Sequence, residues 1–526
     1  MTKRTGAELI ARGLAEAGVT RVYGVPGEQT LALTDALSGA GIEIVLTRHE
    51  QVAAFLAATE GRVTGRPGVC FSTLGPGATN LITGVAHAHL GRWPMIAISA
   101  QRPLQGDPEG DFQYLPLTAL FAPLTKRSRL IRRASSAPAE LAAAWTLSLE
   151  GRPGPVHLVL PQDVAREETE AAVVRPRAAA RPAPAPSALE EAARVIGDRP
   201  AVILASSGAQ PVSEALARFV EHTGIPCVTT QLGKGALPES HPRALGCLGA
   251  HAPGRHRALF EWAEVTIAVG YDPVEFPPEA WNPCAGKEVV HLDVTAPDAR
   301  EGYVPVTEVV GALDLTLDAL RERIAPRSQT QRTQTPPDVP ARATDDALDE
   351  LVAAVRAAMG DEDVVALDNG LYKLWFASGY ETRAPHTLLL DDALASMGAG
   401  LAGAMAAKLV HPERRALAVC GDGGFLMNVQ DLETAVRLGL DLHVLVLVDD
   451  GYGMIEWKQA MDGYAKGAVR FGNPDFVKLA QAFGASGVRV EGPQELEDAL
   501  KAPPEGVVLI ECPIDYAIAE GAVPQP

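Results

Sequence analysis

Cysteine, positive charge and uninterrupted apolar runs are all in short supply in this chain. Its six cysteines, Cys70, Cys227, Cys247, Cys284, Cys420 and Cys512, lie far apart, form no CxxC pair and sit mostly inside apolar stretches. That pattern excludes a disulfide scaffold and reads as buried, reduced thiols in a cytoplasmic protein. Lys and Arg number 46 against 65 Asp and Glu, a formal charge of −19, so a broad electropositive surface for nucleic acid or anionic lipid is excluded and any phosphate has to be met locally. Met1 to Gly6 lead into a polar helix start without an apolar signal core, which argues against secretion. Two long charge-free stretches exist. The first, Pro67 to Gly91, carries Pro76, Asn80 and two histidines, and the second, Ala393 to Ala407, is short and rich in Gly and Ala, so neither reads as a membrane span. With 526 residues, 47% hydrophobic and 21% charged, the chain is too apolar for disorder and too polar for a membrane bundle, and several soluble domains are expected.

What is present is an α/β rhythm. Thr5-Gly6-Ala7-Glu8 has capping-box spacing, and Leu9, Ile10, Leu14 and Ala17 give a helical apolar face that ends at Gly18. Short β-rich runs at Arg21 to Gly24, Ile42 to Leu46 and Gly68 to Phe71 are each followed by small or polar residues and a helical pattern, as in a parallel sheet. Val202 to Ala205, Val265 to Val269 and Val289 to Leu292 form a second set of strands, and Val364 to Leu367, Ala416 to Cys420 and Val444 to Val448 a third. Proline-rich stretches at Val174 to Ser187 and Pro326 to Thr344 separate the sets, because proline removes donors and restricts its neighbours. Three domains of ordinary length are expected, over residues 1–173, 188–325 and 344–526.

The third set carries the chemistry. The strand Ala416 to Cys420 ends in Gly421-Asp422-Gly423-Gly424, with a helix expected from about Asn428. Val444 to Val448 ends in Asp449-Asp450-Gly451-Tyr452-Gly453. Two strand ends thus present Asp422 and Asp449 at the carboxyl edge of one sheet, where α/β proteins bind ligands. Such oxygen ligands suit a hard divalent cation, and magnesium commonly joins one or two carboxylates to substrate phosphates. Taken singly, either Asp-Gly motif is also ordinary turn chemistry. Gly398-Ala399-Gly400-Leu401-Ala402-Gly403 spells a dinucleotide fingerprint, but Asp391 to Met397 intervene between it and the preceding strand, which sets the dehydrogenase reading aside.

A GDG at Asp422 followed by a second oxygen ligand at Asp449 resembles the thiamine diphosphate enzymes, among them acetolactate synthase and pyruvate decarboxylase. The resemblance implies three α/β domains with parallel sheets: a pyrimidine-binding domain, a middle domain like the family's flavin-associated one, and a diphosphate domain. It places the metal on Asp422, Asp449 and the Gly451 carbonyl. Where the family usually has Asn, Asp449 adds a negative charge, which implies tighter metal dependence. Gly421, Gly423, Gly424, Tyr452 and Gly453, with Gly370, Leu371 and Tyr372, fall at the cofactor. ALASMGAGL is similar to the family's GxMG segment, in which Met397 wedges under the cofactor and the Ala395 carbonyl faces its aminopyrimidine. Met454 and Ile455 correspond to apolar residues facing the reactive carbon.

In the N-terminal set, RHEQVAAFLAATEGRVTGRPGVCFSTLGPGATN resembles the pyrimidine domain of acetolactate synthases. Glu50, which on residues alone reads equally as a helix-capping acid, then becomes the activator. A carboxyl bonded to the pyrimidine N1′ promotes the imino tautomer, whose nitrogen takes the thiazolium C2 proton; burial would raise its pKa toward that task. The ring then accepts the electrons released with carbon dioxide from a 2-keto acid. Gly75 and Asn80 of the GPGATN loop, and Pro26, Gly27 and Gln29, fall near the thiazolium and substrate, although Gly-Pro-Gly is also a common helix-entry turn. Glu28 is where acetolactate synthases carry a small residue and decarboxylase-like enzymes an acid, which leaves open whether an aldehyde is released or a second substrate joined. Against simple decarboxylation, no His-His pair accompanies the loops, and Phe71 precedes Ser72. Phe112, Gln113 and Lys126 match the substrate channel. Trp457 lies one position before the acceptor-selecting tryptophan of acetolactate synthases, where this chain has Lys458. His49, His87 and His89 read as structural.

The middle segment, with Gly233-Lys234-Gly235 and Gly246 to His251, resembles the flavin-associated domain, yet Gly270 to Phe276 lacks the arginines of the flavin-bearing enzymes, so a domain without FAD is preferred. The implied whole is a cytoplasmic carboligase using thiamine diphosphate and Mg2+ on a 2-keto acid such as pyruvate. Its pyrimidine and diphosphate domains close over the cofactor from different subunits, making a homodimer the least active unit and a tetramer compatible. The alternatives are a nonligating 2-keto acid decarboxylase and a noncatalytic cofactor-binding regulatory protein.

Overall fold

The computed structural model describes residues 3–105, 110–249, 254–282, 286–298, 300–326, 336–339 and 347–516. Cys284, Ala250, His251 and most of the Pro326 to Thr344 stretch lie outside them.

A two-strand ribbon pairs β1 (Arg4–Thr5) with β8 (Glu168–Thr169). Between them come β2 (Arg21–Gly24), β3 (Glu43–Leu46), β4 (Gly68–Ser72), β5 (Met95–Gln101), β6 (Arg127–Leu130) and β7 (Pro155–Pro161), ordered 3-2-4-5-7-6 in a parallel sheet. The second sheet, ordered 11-10-9-12-13-14, uses β9 (Ala201–Ala205), β10 (Cys227–Thr229), β11 (Ala244–Cys247), β12 (Val265–Val269), β13 (Glu288–Asp293) and β14 (Thr307–Val310). The third, ordered 16-15-17-18-20-19, uses β15 (Val364–Leu367), β16 (Leu388–Leu389), β17 (Ala416–Gly421), β18 (Leu442–Val448), β19 (Ser486–Arg489) and β20 (Val507–Pro513). The central strands β5, β7, β9 and β12 are buried along their whole length, because helices cover both faces of each sheet. The first helix starts at the expected capping box, Thr5 and Glu8 exchanging side-chain and backbone bonds of 2.6 and 3.2 Å.

Strand order reverses between β2 and β4, between β9 and β12, and between β15 and β17, and the first and third sheets invert again at their edge pairs β7–β6 and β20–β19. A reversal leaves the following loops diverging at the carboxyl edge, which opens a crevice there. One correction concerns the helix after the GDGG turn. It begins at Asp422 itself, not near Asn428, with an acid in its first turn, where the helix dipole favours negative charge, and Asp422 Oδ1 accepts the Gly423 N–H at 2.7 Å.

The first and third sheets are tied together. The helix Glu50–Thr64 packs on the helix Gly400–Val410 within one apolar core, and Arg62 Nη1 and the Arg48 N–H cross to the Leu390 carbonyl and Asp431 Oδ1, both at 2.8 Å. Lys234, almost fully buried, pairs with Glu239 at 2.7 Å, and Glu239 accepts the Thr382 N–H at 2.6 Å, which anchors the second sheet's loops to the third unit. The five cysteines among the described residues are buried and free, and burial pushes their thiols up, which keeps them inert. Among the described residues no helix is long and apolar enough to cross a membrane.

Glu275 is a buried acid in the middle unit. Burial pushes it up to about 7, against the opposing bonds from the Ser206 and Thr230 hydroxyls and the Leu232 N–H. A carboxyl raised in the folded state stabilises it fully below the ordinary value near 4.5, and that contribution is lost as pH rises through about 7. The Glu275→Gln variant should therefore lose less thermal stability between pH 5 and 8 than the parent, by at most about 3 kcal/mol, as measured by melting at a series of pH values.

Candidate functional site

Two loop clusters form at the reversals of the first and third sheets, and they hold most of the residues singled out from the sequence. In the first cluster, Glu50 opens the helix Glu50–Thr64 and is 8% exposed. It does not cap that helix. His49 does so, its Nδ1 accepting the Gln51 N–H at 3.1 Å, which frees the Glu50 carboxylate to turn inward. Oε2 accepts from Asn80 Nδ2 at 2.9 Å, and Oε1 lies where a Cβ on Gly77 would come within 3.0 Å. Gly75 has φ +47°, and a side chain there would run into the Gln113 carbonyl at 2.7 Å, so the GPGATN loop and the Gln113 turn, itself at φ +59°, are in contact. Gln29 is buried and accepts from the Thr73 hydroxyl at 3.0 Å, and Gly27 abuts the same threonine. Pro26, Glu28 and Phe112 are exposed on this cluster, Phe112 by 74%.

A row of polar groups, buried except for half-buried Ser128, supports the loop from below. Ser128, His157, Ser99 and Ser72 are linked across β6, β7, β5 and β4 by bonds of 2.8, 3.0 and 3.2 Å. Burial pushes His157 down to about 3, so it acts there as a neutral ring.

In the second cluster Asp422, 1% exposed, joins three segments. Its Oδ2 accepts the Asp450 N–H at 2.8 Å, Asn473 Nδ2 at 2.7 Å and the Asp449 N–H at 3.3 Å. Asp449 sits beside it. Burial, then the charge of Asp422, pushes Asp449 up to about 7, and its Oδ2 is buried with no partner among the described residues. Two crowded acids with an orphaned oxygen fit a divalent cation. No group of three His, Cys, Asp or Glu is gathered among the described residues, so such an ion would need the Gly451 carbonyl and outside oxygens as well. Gly423 and Gly424 are required sterically, since a Cβ would meet the Tyr452 ring at 2.7 Å and Asp368 Oδ2 at 2.5 Å.

The Ala395 to Met397 turn is held from three sides. Asp368 accepts the N–H groups of Gly398 and Ala399, Asn369 Nδ2 donates to the Ser396 carbonyl at 2.7 Å, and Asn428 Nδ2 to the Gly398 carbonyl at 2.8 Å. Ala395 is exposed with φ +53°, a left-handed conformation that costs a non-glycine residue about 1 kcal/mol. Burial pushes Asp368 up to about 6.

Several expected ligands lie elsewhere. Lys126 precedes β6 at the opposite, amino edge of the first sheet, where its Nζ caps the carbonyls of Glu150 and Arg152. Met454 and Trp457 pack on the core beneath the third sheet, leaving Ile455, 50% exposed, on the outer face of their helix. Leu371 and Tyr372 are buried beneath the GDGG turn, the Tyr372 hydroxyl accepting the Gly421 N–H at 3.0 Å, and Gly370 is packed against that same ring, so this segment supports the turn from below. Asp368, Asn369, Thr73 and Asn473 were not singled out. Asp368-Asn369-Gly370 directly after a strand carried the signal of an edge loop, whereas nothing around Asn473 distinguishes it from ordinary surface.

The sequence compares accordingly. Residues 4–120 match the N-terminal thiamine pyrophosphate binding domain of thiamine pyrophosphate enzymes, 189–320 the central domain, and 368–512 the C-terminal thiamine pyrophosphate binding domain. The chain belongs to the thiamine pyrophosphate enzyme family. Within that family it is 34% identical to the acetolactate synthase of Bacillus subtilis, over 98% of this chain and 94% of the relative. It is 32% identical to the catabolic acetolactate synthase of Raoultella terrigena, over 97% and 95%, and 32% identical to a probable acetolactate synthase large subunit of Methanocaldococcus jannaschii, over 94% and 89%. The first cluster lies within the matched N-terminal thiamine pyrophosphate binding domain and the second within the matched C-terminal one.

Because Gly77 leaves no room for a methyl group beside Thr73 and Glu50 Oε1, Gly77→Ala should displace the carboxylate. Turnover should fall by about tenfold or more, with the melting temperature lowered only a few degrees, in paired kinetic and thermal assays.

Proposed function

We propose that this chain decarboxylates pyruvate and joins the resulting two-carbon unit to a second 2-keto acid, forming acetolactate. The observation that carries this reading is the inward-turned Glu50, fixed through one oxygen by Asn80. When bound, thiamine diphosphate would supply a cationic ring whose acidic carbon, once deprotonated, adds to the keto carbonyl, and the ring then accepts the electron pair freed with carbon dioxide. Glu50 Oε1, the oxygen that Asn80 leaves free, would share a proton with the pyrimidine ring nitrogen of the cofactor. Its neutral neighbours Asn80, Gly77 and Thr73 let it exchange that proton without a competing charge. Asp422, Asp449 and the Gly451 carbonyl would hold Mg2+, which offsets the mutual repulsion of the two carboxylates. Gln29, Gln113 and exposed Phe112 would orient and shield the keto acid. Glu28, exposed on the same cluster, supports a second reading in which an intermediate is protonated and released as an aldehyde.

The active unit in this proposal is a homodimer or a tetramer built from it, in the cytoplasm. Supporting it, the exposed apolar side chains include Leu31, Leu46 and Phe112 around the first cluster and Met427, Ile455 and Tyr464 around the second, a distribution suited to burial by another copy.

The middle unit is proposed to work without flavin. The crevice at its sheet reversal, a cavity of about 770 Å³ shared with the N-terminal unit, receives arginines from outside the middle unit that are already paired with its acids: Arg152 with Asp272 and Asp293, Arg92 with Asp272, and Arg181 with Asp314. A dinucleotide's phosphates would have to break those pairs. The purified protein should show no flavin absorbance, and added FAD should leave turnover unaltered; a stoichiometric flavin spectrum would overturn this.

Product analysis by NMR after mixing protein, thiamine diphosphate, Mg2+ and pyruvate should give acetolactate, with formation at least a hundredfold slower in Glu50→Gln. Acetaldehyde would select the second reading, and unaltered turnover in Glu50→Gln would remove the role given to that residue. Asp449→Asn should weaken Mg2+ several-fold in titrations of cofactor binding, because it removes a ligand charge.

A further inference from the structure

His87 and Asp391 form a buried pair that neither the metal cluster nor the Glu50 cluster uses directly. His87 Nδ1 lies 3.0 Å from Asp391 Oδ2, with side chains 6% and 4% exposed. The partners come from different units. His87 is on the helix Pro76–Gly91, two turns beyond Asn80, and Asp391 lies just after β16. The ring has little freedom, since Phe55 and Trp93 pack edge-on against it with centroids at 5.0 and 4.6 Å. The helix is fixed too: at Gly84 a Cβ would come within 2.3 Å of the Ala54 Cβ on the neighbouring helix.

On its other side, Asp391 accepts two backbone donors, the Ala393 N–H on Oδ1 at 3.0 Å and the Ala395 N–H on Oδ2 at 2.9 Å. Ala395 is the exposed residue with the left-handed backbone. Lys373 Nζ holds the Asp391 carbonyl and Asp392 Oδ1, both at 2.8 Å, and Arg62 reaches across from the N-terminal unit to the Leu390 carbonyl. A strained turn persists only where its surroundings over-determine it. Here the carboxylate supplies that constraint, and the imidazole fixes the carboxylate.

We infer that His87 and Asp391 are a positioning pair: His87 orients the Asp391 carboxylate, which clamps the Ala393 and Ala395 amides and so presets the turn that faces the cofactor. This rests on the proposed function only in that the Ala395 turn faces thiamine diphosphate. His87 is then more than core packing. It joins the helix that carries Asn80, and through it Glu50, to the cofactor turn of the same chain.

The test uses the full-length protein with His87→Leu, which keeps bulk but removes the bond, and His87→Asn, whose side-chain nitrogen can stand in for Nδ1. Thiamine diphosphate affinity at saturating Mg2+ is measured by calorimetry, and amide hydrogen exchange is followed in a peptide spanning 391–397. His87→Leu should weaken the cofactor by about tenfold and speed exchange in that peptide by a similar factor, and His87→Asn should recover most of both. Affinity and exchange unchanged within about twofold, or equal defects in both variants, would overturn the inference. If His87→Leu does not fold, Asp391→Asn should show the same accelerated exchange. Failure of the parent protein to bind thiamine diphosphate would instead remove the proposed function, and the exchange measurement would still decide whether the pair holds the turn.

Discussion

Two carboxylates crowded at one sheet edge are the constraint around which the C-terminal unit is organised. Asp422 is almost wholly buried and satisfied by backbone amides and by Asn473, whereas Asp449 beside it is left with an orphaned oxygen and a raised proton affinity. Such a pair costs stability unless a cation joins it. Gly423 and Gly424, whose positions admit no side chain, and Tyr372 beneath the turn hold this crowded edge in place. This is the arrangement that the proposed divalent cation would complete.

The N-terminal unit solves the converse problem, which is to keep one acid buried without a countercharge. His49 takes over the helix cap, Asn80 supplies a neutral donor to one carboxylate oxygen, and Gly77 makes space for the other. The polar row from Ser128 to Ser72 satisfies the buried hydroxyls under the loop without adding charge. Neutral surroundings suit the proton exchange proposed for Glu50.

Much of this was legible in the sequence because it is local. Strand runs ending in Gly-Asp-Gly or His-Glu, followed by helical patterns, locate edge loops, and a reversal of parallel strand order then brings those loops together. Asp449 and Ala395 fall in such loops, and Asp422, Glu50 and Asn80 in the opening turns of the helices that follow them. Some expected residues lie apart from the two clusters within the single chain, for reasons of sheet edge and side-chain direction. Lys126 follows a loop at the wrong edge of its sheet, and Trp457 and Met454 lie on the inward face of a helix whose outer face carries Ile455. The partners of the key groups were also invisible, since Asn473 meets Asp422 across 51 residues and His87 meets Asp391 across 304. No periodicity or spacing encodes contacts at such separations.

The two clusters lie at the carboxyl edges of different sheets, and in the proposed assembly each active site takes one cluster from each of two copies. The most direct test is a mixed dimer, purified through two different tags, of one Glu50→Gln chain and one Asp422→Asn chain. One of its two sites would then be intact, so the mixed dimer should recover roughly half the parental acetolactate-forming activity while each parent homodimer has almost none. A mixed dimer as inactive as the two homodimers would contradict a site shared between subunits.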